Sequence, residues 1–204
     1  MTDLRPVLLL RAMLAALLIL GARAGAALAH SFSIGILATG DGAEARLASA
    51  VRGFLIASAE RDSHPDETSD GHIGGLDVHI VPLPGAAAAG IKGLMGTRPA
   101  TLDFLLLLDG KASEPPRPGT LPGLTSDTIF LHPGELPETR QDPGRAESFA
   151  ARFRAAYGIA PDQAAAEGYN AARRIDLAVR PLGTVGDDAA LVRSLTETQG
   201  RIEW

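Results

Sequence analysis

SFSIGILATGDGAEARLASAVRGFLIASAE (Ser31–Glu60), followed after a polar interval by LDVHIVP (Leu76–Pro82), is the stretch that decides the fold. Phe32–Ala38 is a short apolar run rich in β-branched and aromatic types, which predicts a buried strand. Thr39-Gly40-Asp41-Gly42 breaks it. Leu47, Val51, Phe54 and Leu55 then recur at helical spacing, with the small Ser58 next on the same stripe. In Leu76–Pro82, Leu76, Val78, Ile80 and Pro82 alternate with Asp77, His79 and Val81, the period of a strand. Strand, helix, strand is a βαβ unit, which implies parallel pairing and a right-handed crossover.

The chain downstream extends that unit. Gly85–Gly96 is Ala-rich and helical in tendency, weakened by Gly90 and Gly93. Asp103–Leu108 (DFLLLL) predicts a third strand, apolar on both faces as the centre of a parallel sheet requires. Pro115, Pro116, Pro118, Gly119, Pro122 and Gly123 then crowd together, so 110–127 reads as a loop or linker. Thr128–His132 (TIFLH) predicts a short fourth strand. Ala146–Val179 predicts a helical hairpin. Phe149, Phe153 and Tyr157 fall at i, i+4, i+8 on one face, and Gly158 suits a left-handed C-cap. Pro161 suits the first turn of a second helix, whose inward stripe is Tyr169, Ala172, Ile175 and Val179. Asp187–Thr198 predicts a last helix with Leu191, Val192 and Leu195 inward, and Arg201–Trp204 a short terminal strand. The fold expected is α/β: a small parallel sheet of about four strands with helices on both faces, and the aromatic stripe packed on the sheet.

Composition narrows the function. The chain has 204 residues, a net charge of −5 and no cysteine. No basic patch interleaves with aromatic residues, which excludes a nucleic-acid partner. Without cysteine there is no disulfide, thiolate metal site or lipoprotein anchor. Residues 1–29 read as a cleaved signal peptide: Arg5 and Arg11 are basic, Ala12–Gly21 is apolar but too short to span a bilayer, and Ala27-Leu28-Ala29 is an A-x-A site. Removing Arg5, Arg11, Arg23 and Asp3 takes the 19 basic and 24 acidic residues to 16 and 23, a mature charge of −7. The expectation is a single domain, 30–204, in a bacterial periplasm.

Two segments resemble a known family. Phe149, Phe153, Tyr157-Gly158, Pro161 and the tetrad Gly168-Tyr169-Asn170-Ala171 are similar, in order, to the late helical segment of type I periplasmic binding proteins of the branched-chain amino acid (leucine–isoleucine–valine) class. The tetrad departs from the family in having Asn170 for an acidic residue. The front half resembles the same class, with Gly53 in its helix and Gly74-Gly75 before its second strand. The resemblance covers about Ser31–Asp109 and Thr128–Trp204, with the Pro-rich run Glu114–Gly123 where the family has most of a second lobe. It implies one lobe of a secreted solute-binding protein that serves an ABC transporter and binds a small polar or amino-acid ligand without chemistry.

In open α/β sheets ligands sit beyond the carboxyl ends of strands. The candidate ligand residues are therefore Thr39 and Asp41 after the first strand, and Asp109, Lys111 and Ser113 after the third. Thr39–Gly42 is neither a dinucleotide fingerprint nor a Walker loop, so no nucleotide cofactor is expected. No G-x-S-x-G, H-E-x-x-H or cysteine nucleophile is present, so no catalytic residue is assigned and the chain does not read as an enzyme. Two alternatives stand beside transport. One is a periplasmic accessory or interaction protein that keeps the fold without the ligand site. The other is metal handling by the polar loop 62–72, where Asp62, His64, Asp66, Glu67, Asp70 and His72 crowd together. Such a loop is more often simply solvated. His30, as a new N-terminus, would need a second histidine to hold copper, and none is identifiable. His79 and His132 fall in strands and read as structural.

Overall fold

The computed structural model describes residues 31–60, 68–85, 91–96, 100–108, 115–133 and 147–198. The signal segment, most of the 62–72 loop, Asp109, Lys111, Ser113 and the terminal Arg201–Trp204 lie outside them. The architecture is mixed α/β. Strands β1 (Ser31–Leu37), β2 (His72–Ile73), β3 (Leu76–Leu83), β4 (Phe104–Leu107) and β5 (Ile129–Leu131) form one sheet in the order β2-β3-β1-β4-β5. All neighbours are parallel except the β2–β3 hairpin. Helices α1 (Ala43–Ala59), α2 (Phe149–Tyr157), α3 (Gln163–Val179) and α4 (Asp188–Thr198) complete it.

The four predicted strands that fall among the described residues form where the apolar runs placed them. β4 is buried on both faces, because core packs against the sheet on each side of it. The fifth strand, β2, is an addition to the four expected. It arises at Gly74-Gly75, whose φ values of 65° and 85° are those of a two-residue hairpin turn with both central residues left-handed. A side chain at Gly74 would also meet Val179 Cβ at 2.8 Å.

Side-chain parity divides the core in two. Phe32, Ile34, Ile36, Val78, Ile80, Phe104, Leu106 and Leu131 face one way and join the buried residues of all four helices. Val81, Leu83, Leu105 and Leu107 face the other way, under Leu102, Leu121 and Leu124. Helices on both faces were expected; among the described residues the second face carries no helix. It is covered instead by the Pro/Gly-rich run. That run is irregular, as its composition predicts, but its second half is packed rather than a free linker. Leu124 is buried, and the Gly123 carbonyl accepts from Leu102 N at 2.8 Å. Residues 91–96 form a turn, not the helix their composition suggested. Their glycines lower helix propensity by about 1 kcal/mol each relative to alanine.

The helical face of the core is organised by one crossing. The predicted stripe Leu47, Val51, Phe54, Leu55 and Ser58 is buried on α1, and Tyr169, Ala172, Ile175 and Val179 on α3. Between these helices the backbones touch. A Cβ on Gly53 would lie 1.9 Å from the Ala165 carbonyl oxygen, and one on Gly168 would lie 2.0 Å from that of Ala50. Two Ala-x-x-Gly steps, Ala50–Gly53 and Ala165–Gly168, thus interlock reciprocally. Their small side chains permit close axial approach and dense packing.

The aromatic stripe of α2 finds its partners on α1 and α3 rather than on the sheet. Phe149 stacks on Tyr169 with centroids 4.4 Å apart, Phe153 lies edge-on to Phe149, and the Tyr157 hydroxyl donates to Arg52 O. Complete burial of Phe153 contributes about 1.5–3 kcal/mol. Gly158 is the left-handed C-cap expected, at φ 74°. Pro161 instead precedes the helix: Asp162 is the N-cap of α3, accepting from Ala165 N and from Ser49 Oγ of α1. On α4, Leu191 and Leu195 are inward, but Val192 is 50% exposed and Ser194 takes the inner position, donating to Ala178 O.

Candidate functional site

β1 sits between β3 and β4, and its forward connection through α1 leads to β3 on one side. The chain then passes to β4 on the other side. The loops leaving β1 and β4 therefore diverge, and a crevice at such a switch in strand order is where doubly wound sheets bind ligands. Thr39–Gly42 occupies the β1 side of this point, and all four residues are exposed. Gly42 is the N-cap of α1, with φ 71° and no side-chain cap. The Ala43 and Arg46 amides are taken by the Gly40 and Gly42 carbonyls. Hypothetical side chains on Gly40 and Gly42 would meet nothing within 4 Å, so the approach is open. Arg46 Nη2 donates to Thr39 O, tying the loop to the first helical turn and bringing a positive charge beside it.

Of the five candidate ligand residues, Thr39 and Asp41 stand together at this edge. Asp109, Lys111 and Ser113 follow β4, the adjacent strand, but lie outside the described residues. The strand ends behind the loop are apolar: Ala38, Leu83, Leu107 and Leu108 are all buried. Asp41 and Glu44 set negative charge near the positive end of the α1 dipole. An arriving anion would therefore meet helix amides and Arg46 with two carboxylates alongside.

The metal alternative finds no support at the residues described. Both oxygens of Asp70 are occupied by backbone amides, Ile80 N at 2.7 Å and Met95 N at 2.5 Å. His72 Nε2 pairs instead with Asp77 Oδ1 across the hairpin at 2.8 Å, where register places the two residues opposite each other. Among the described residues no three potential metal ligands come together. His79 and His132 are half-buried, at β3 and just past β5.

Other polar groups are brought together that the sequence did not reveal. Asp176, 1% exposed, accepts from Gly74 N at 2.8 Å and from Arg180, and so ties α3 to the hairpin turn. The Tyr169 hydroxyl accepts from Arg152 and donates to Glu60 Oε2, while Arg152 and Glu60 pair at 2.7 Å. Burial, then the Glu60 charge, pushes the Tyr169 hydroxyl up to about 12. Burial likewise raises Tyr157, and raises the Glu167 carboxyl against its hydrogen bond from Gln163. These ties brace the three helices, and Glu167 also lies within electrostatic reach of Arg46 beside the β1 loop. The hairpin was legible from the Gly74-Gly75 pair, and Asp162 after Pro161 is an N-cap signature. Nothing local marks Asp70 or Asp176.

No family model, curated protein or solved structure matches the chain. The fold and the edge just described define its class: a mixed α/β domain on a five-stranded, mostly parallel sheet. Among the described residues no helix is long and apolar enough to cross a membrane.

Proposed function

We propose that this chain is a secreted solute-binding protein of the type I periplasmic class in a shortened, single-lobe, three-layer form. It holds a small amino-acid-like or polar ligand at the carboxyl ends of β1 and β4, performs no chemistry on it and serves an ABC transporter. The observation that carries the reading is the open, uncapped N-terminus of α1 at the switch in strand order. Helix amides there favour a carboxylate. Asp41 beside them suits an ammonium group, so a zwitterion fits better than a simple anion. The test is thermal unfolding of the mature protein with L-leucine, glycine, acetate or zinc. A ligand at 100 times its dissociation constant stabilises by about 2.7 kcal/mol. A rise with an amino acid that is reduced by Asp41→Asn supports the reading. No response to any small molecule sinks it.

A second reading, a periplasmic interaction protein without a ligand site, is favoured by one observation. Among the described residues, the strand ends behind the loop present Ala38, Leu83, Leu107 and Leu108, all apolar. The same experiment separates the two. Silence toward small molecules, with the chain co-eluting with a periplasmic protein in stoichiometric amount, selects the interaction reading.

A further inference from the structure

Asp70 is 4% exposed, and its backbone and carboxylate together tie it to three segments at once. Its backbone N–H donates to Val78 O and its carbonyl accepts from Ser58 Oγ at the end of α1. Its side chain continues the pairing along the open edge of β3 by accepting from Ile80 N, and with its other oxygen accepts from Met95 N. Among the described residues, the turn 91–96 is otherwise bonded to itself, Leu94 N to Ile91 O. Among the described residues, the Asp70–Met95 bond is the one hydrogen bond that ties this turn to the rest of the molecule. The turn matters because Ile91 is buried and Leu94 packs against the main core, with Gly93 lying over Leu55 of α1.

We propose that Asp70 is a proton-operated latch, which holds the 91–96 turn over the end of α1 when ionised and releases it when protonated. A carboxylate accepts at both oxygens. A carboxylic acid turns one of them into a donor. Two backbone N–H groups, both donors, face this carboxyl, so protonation must weaken one of the two bonds. Ile80 is held in the sheet from its other side by β1 as well, whereas among the described residues Met95 has no second hydrogen bond, so the Met95 bond is the one that yields. Among the described residues, the charges around Asp70 are these. His79 on β3 faces Asp70 and favours its ionised form. His72 and Asp77 of the hairpin pair with each other, Glu60 at the end of α1 pairs with Arg152, and Lys92 on the turn is exposed. Burial is the largest influence and raises the carboxyl above its ordinary value, which moves release toward milder acidity.

The experiment is NMR on the full mature chain from pH 7 to pH 4. It follows the Asp70 carboxyl carbon, and the Met95 amide by chemical shift and by hydrogen exchange corrected for intrinsic rate. The latch requires that both nuclei titrate with one midpoint above the ordinary Asp value, and that Met95 protection falls at least tenfold across it. Asp70→Asn should make Met95 exchange fast and independent of pH. A Met95 amide that stays equally protected throughout overturns the proposal, as does a midpoint that differs from that of the Asp70 carboxyl. The co-titration uses the unmutated chain, so it decides even where the Asn variant does not fold. His79→Gln should shift the common midpoint upward and leave the tenfold change intact.

Discussion

Replacing Gly53 with alanine tests the contact on which the helical face is built. Helix propensity alone favours alanine by about 0.8–1 kcal/mol, so an ordinary exposed helix position would gain stability. Here the new Cβ would lie 1.9 Å from the Ala165 carbonyl oxygen, where ordinary contact begins at 3.4 Å. The obstruction is backbone, so no rotamer change relieves it, and α1 and α3 must part by about 1.5 Å. A gap of about 0.5–1 Å already forfeits a quarter to a half of each contact's dispersion energy. Overpacking of this kind costs about 1–3 kcal/mol, and a backbone clash belongs at or above the top of that range. The net expectation is a loss of about 2 kcal/mol, or a fall in melting temperature of about 4–8 °C for a domain of this size. Far-UV circular dichroism during thermal and urea unfolding measures it. Gly168→Ala should behave alike, because its Cβ meets Ala50 O at 2.0 Å. The double variant should lose less than the sum, since one separation relieves both clashes. A Gly53→Ala variant as stable as the parent, or more so, would refute the backbone-on-backbone crossing.

Two further outcomes follow from the polar braces. Asp176→Ala should destabilise by about 2–3 kcal/mol in urea titrations, because it leaves the buried Gly74 N–H without its acceptor; an unchanged midpoint would show that the hairpin turn does not depend on α3. The chain has two tyrosines, and the Tyr169 phenol, held neutral to about 12, should ionise late in a spectrophotometric titration of Tyr157→Phe. A raised phenol binds more protons folded than unfolded, so its stabilisation is complete below pH 10 and is lost as pH rises from about 10 to about 12. Ionisation of Tyr169 near pH 10 in the folded protein would contradict its burial against Glu60.

Some of this was legible because it is local. The alternation in Leu76–Pro82, the two-sided apolar run Phe104–Leu107 and the α1 stripe each state which side chains leave water, and each is buried as read except at the end of β3, where Val81 is buried and Pro82 only half-buried. Capping is local too: Gly158 ends α2 in the left-handed conformation for want of a Cβ. Val192 is not inward because the buried stripe runs through Leu191, Ser194 and Leu195 at i, i+3 and i+4, which leaves Val192 off the stripe and gives Ser194 the inner place. The β2 hairpin was missed although its Gly-Gly turn was in plain view. The candidate site was half legible: the breakers after β1 located Thr39 and Asp41, since a strand's carboxyl end follows from chain direction alone. Their electrostatic setting, including the Arg46 tie to Thr39, required coordinates.

By itself the sequence determined the α/β class, the order of the main strands and helices, and most of the residues that those elements turn inward. Periodicity of apolar residues is a property of neighbours in the chain, and burial of those residues is the largest favourable term in folding. Only the tertiary structure decided what those faces meet. It set the aromatic stripe of α2 against two helices rather than the sheet, and laid Pro/Gly-rich coil over the second sheet face. It locked Ala50–Gly53 into Ala165–Gly168, and gave the Gly74 amide to a carboxylate 102 positions away. Such choices depend on complementary shape and on a buried polar group finding its one partner, and neither is encoded within reach of a local pattern.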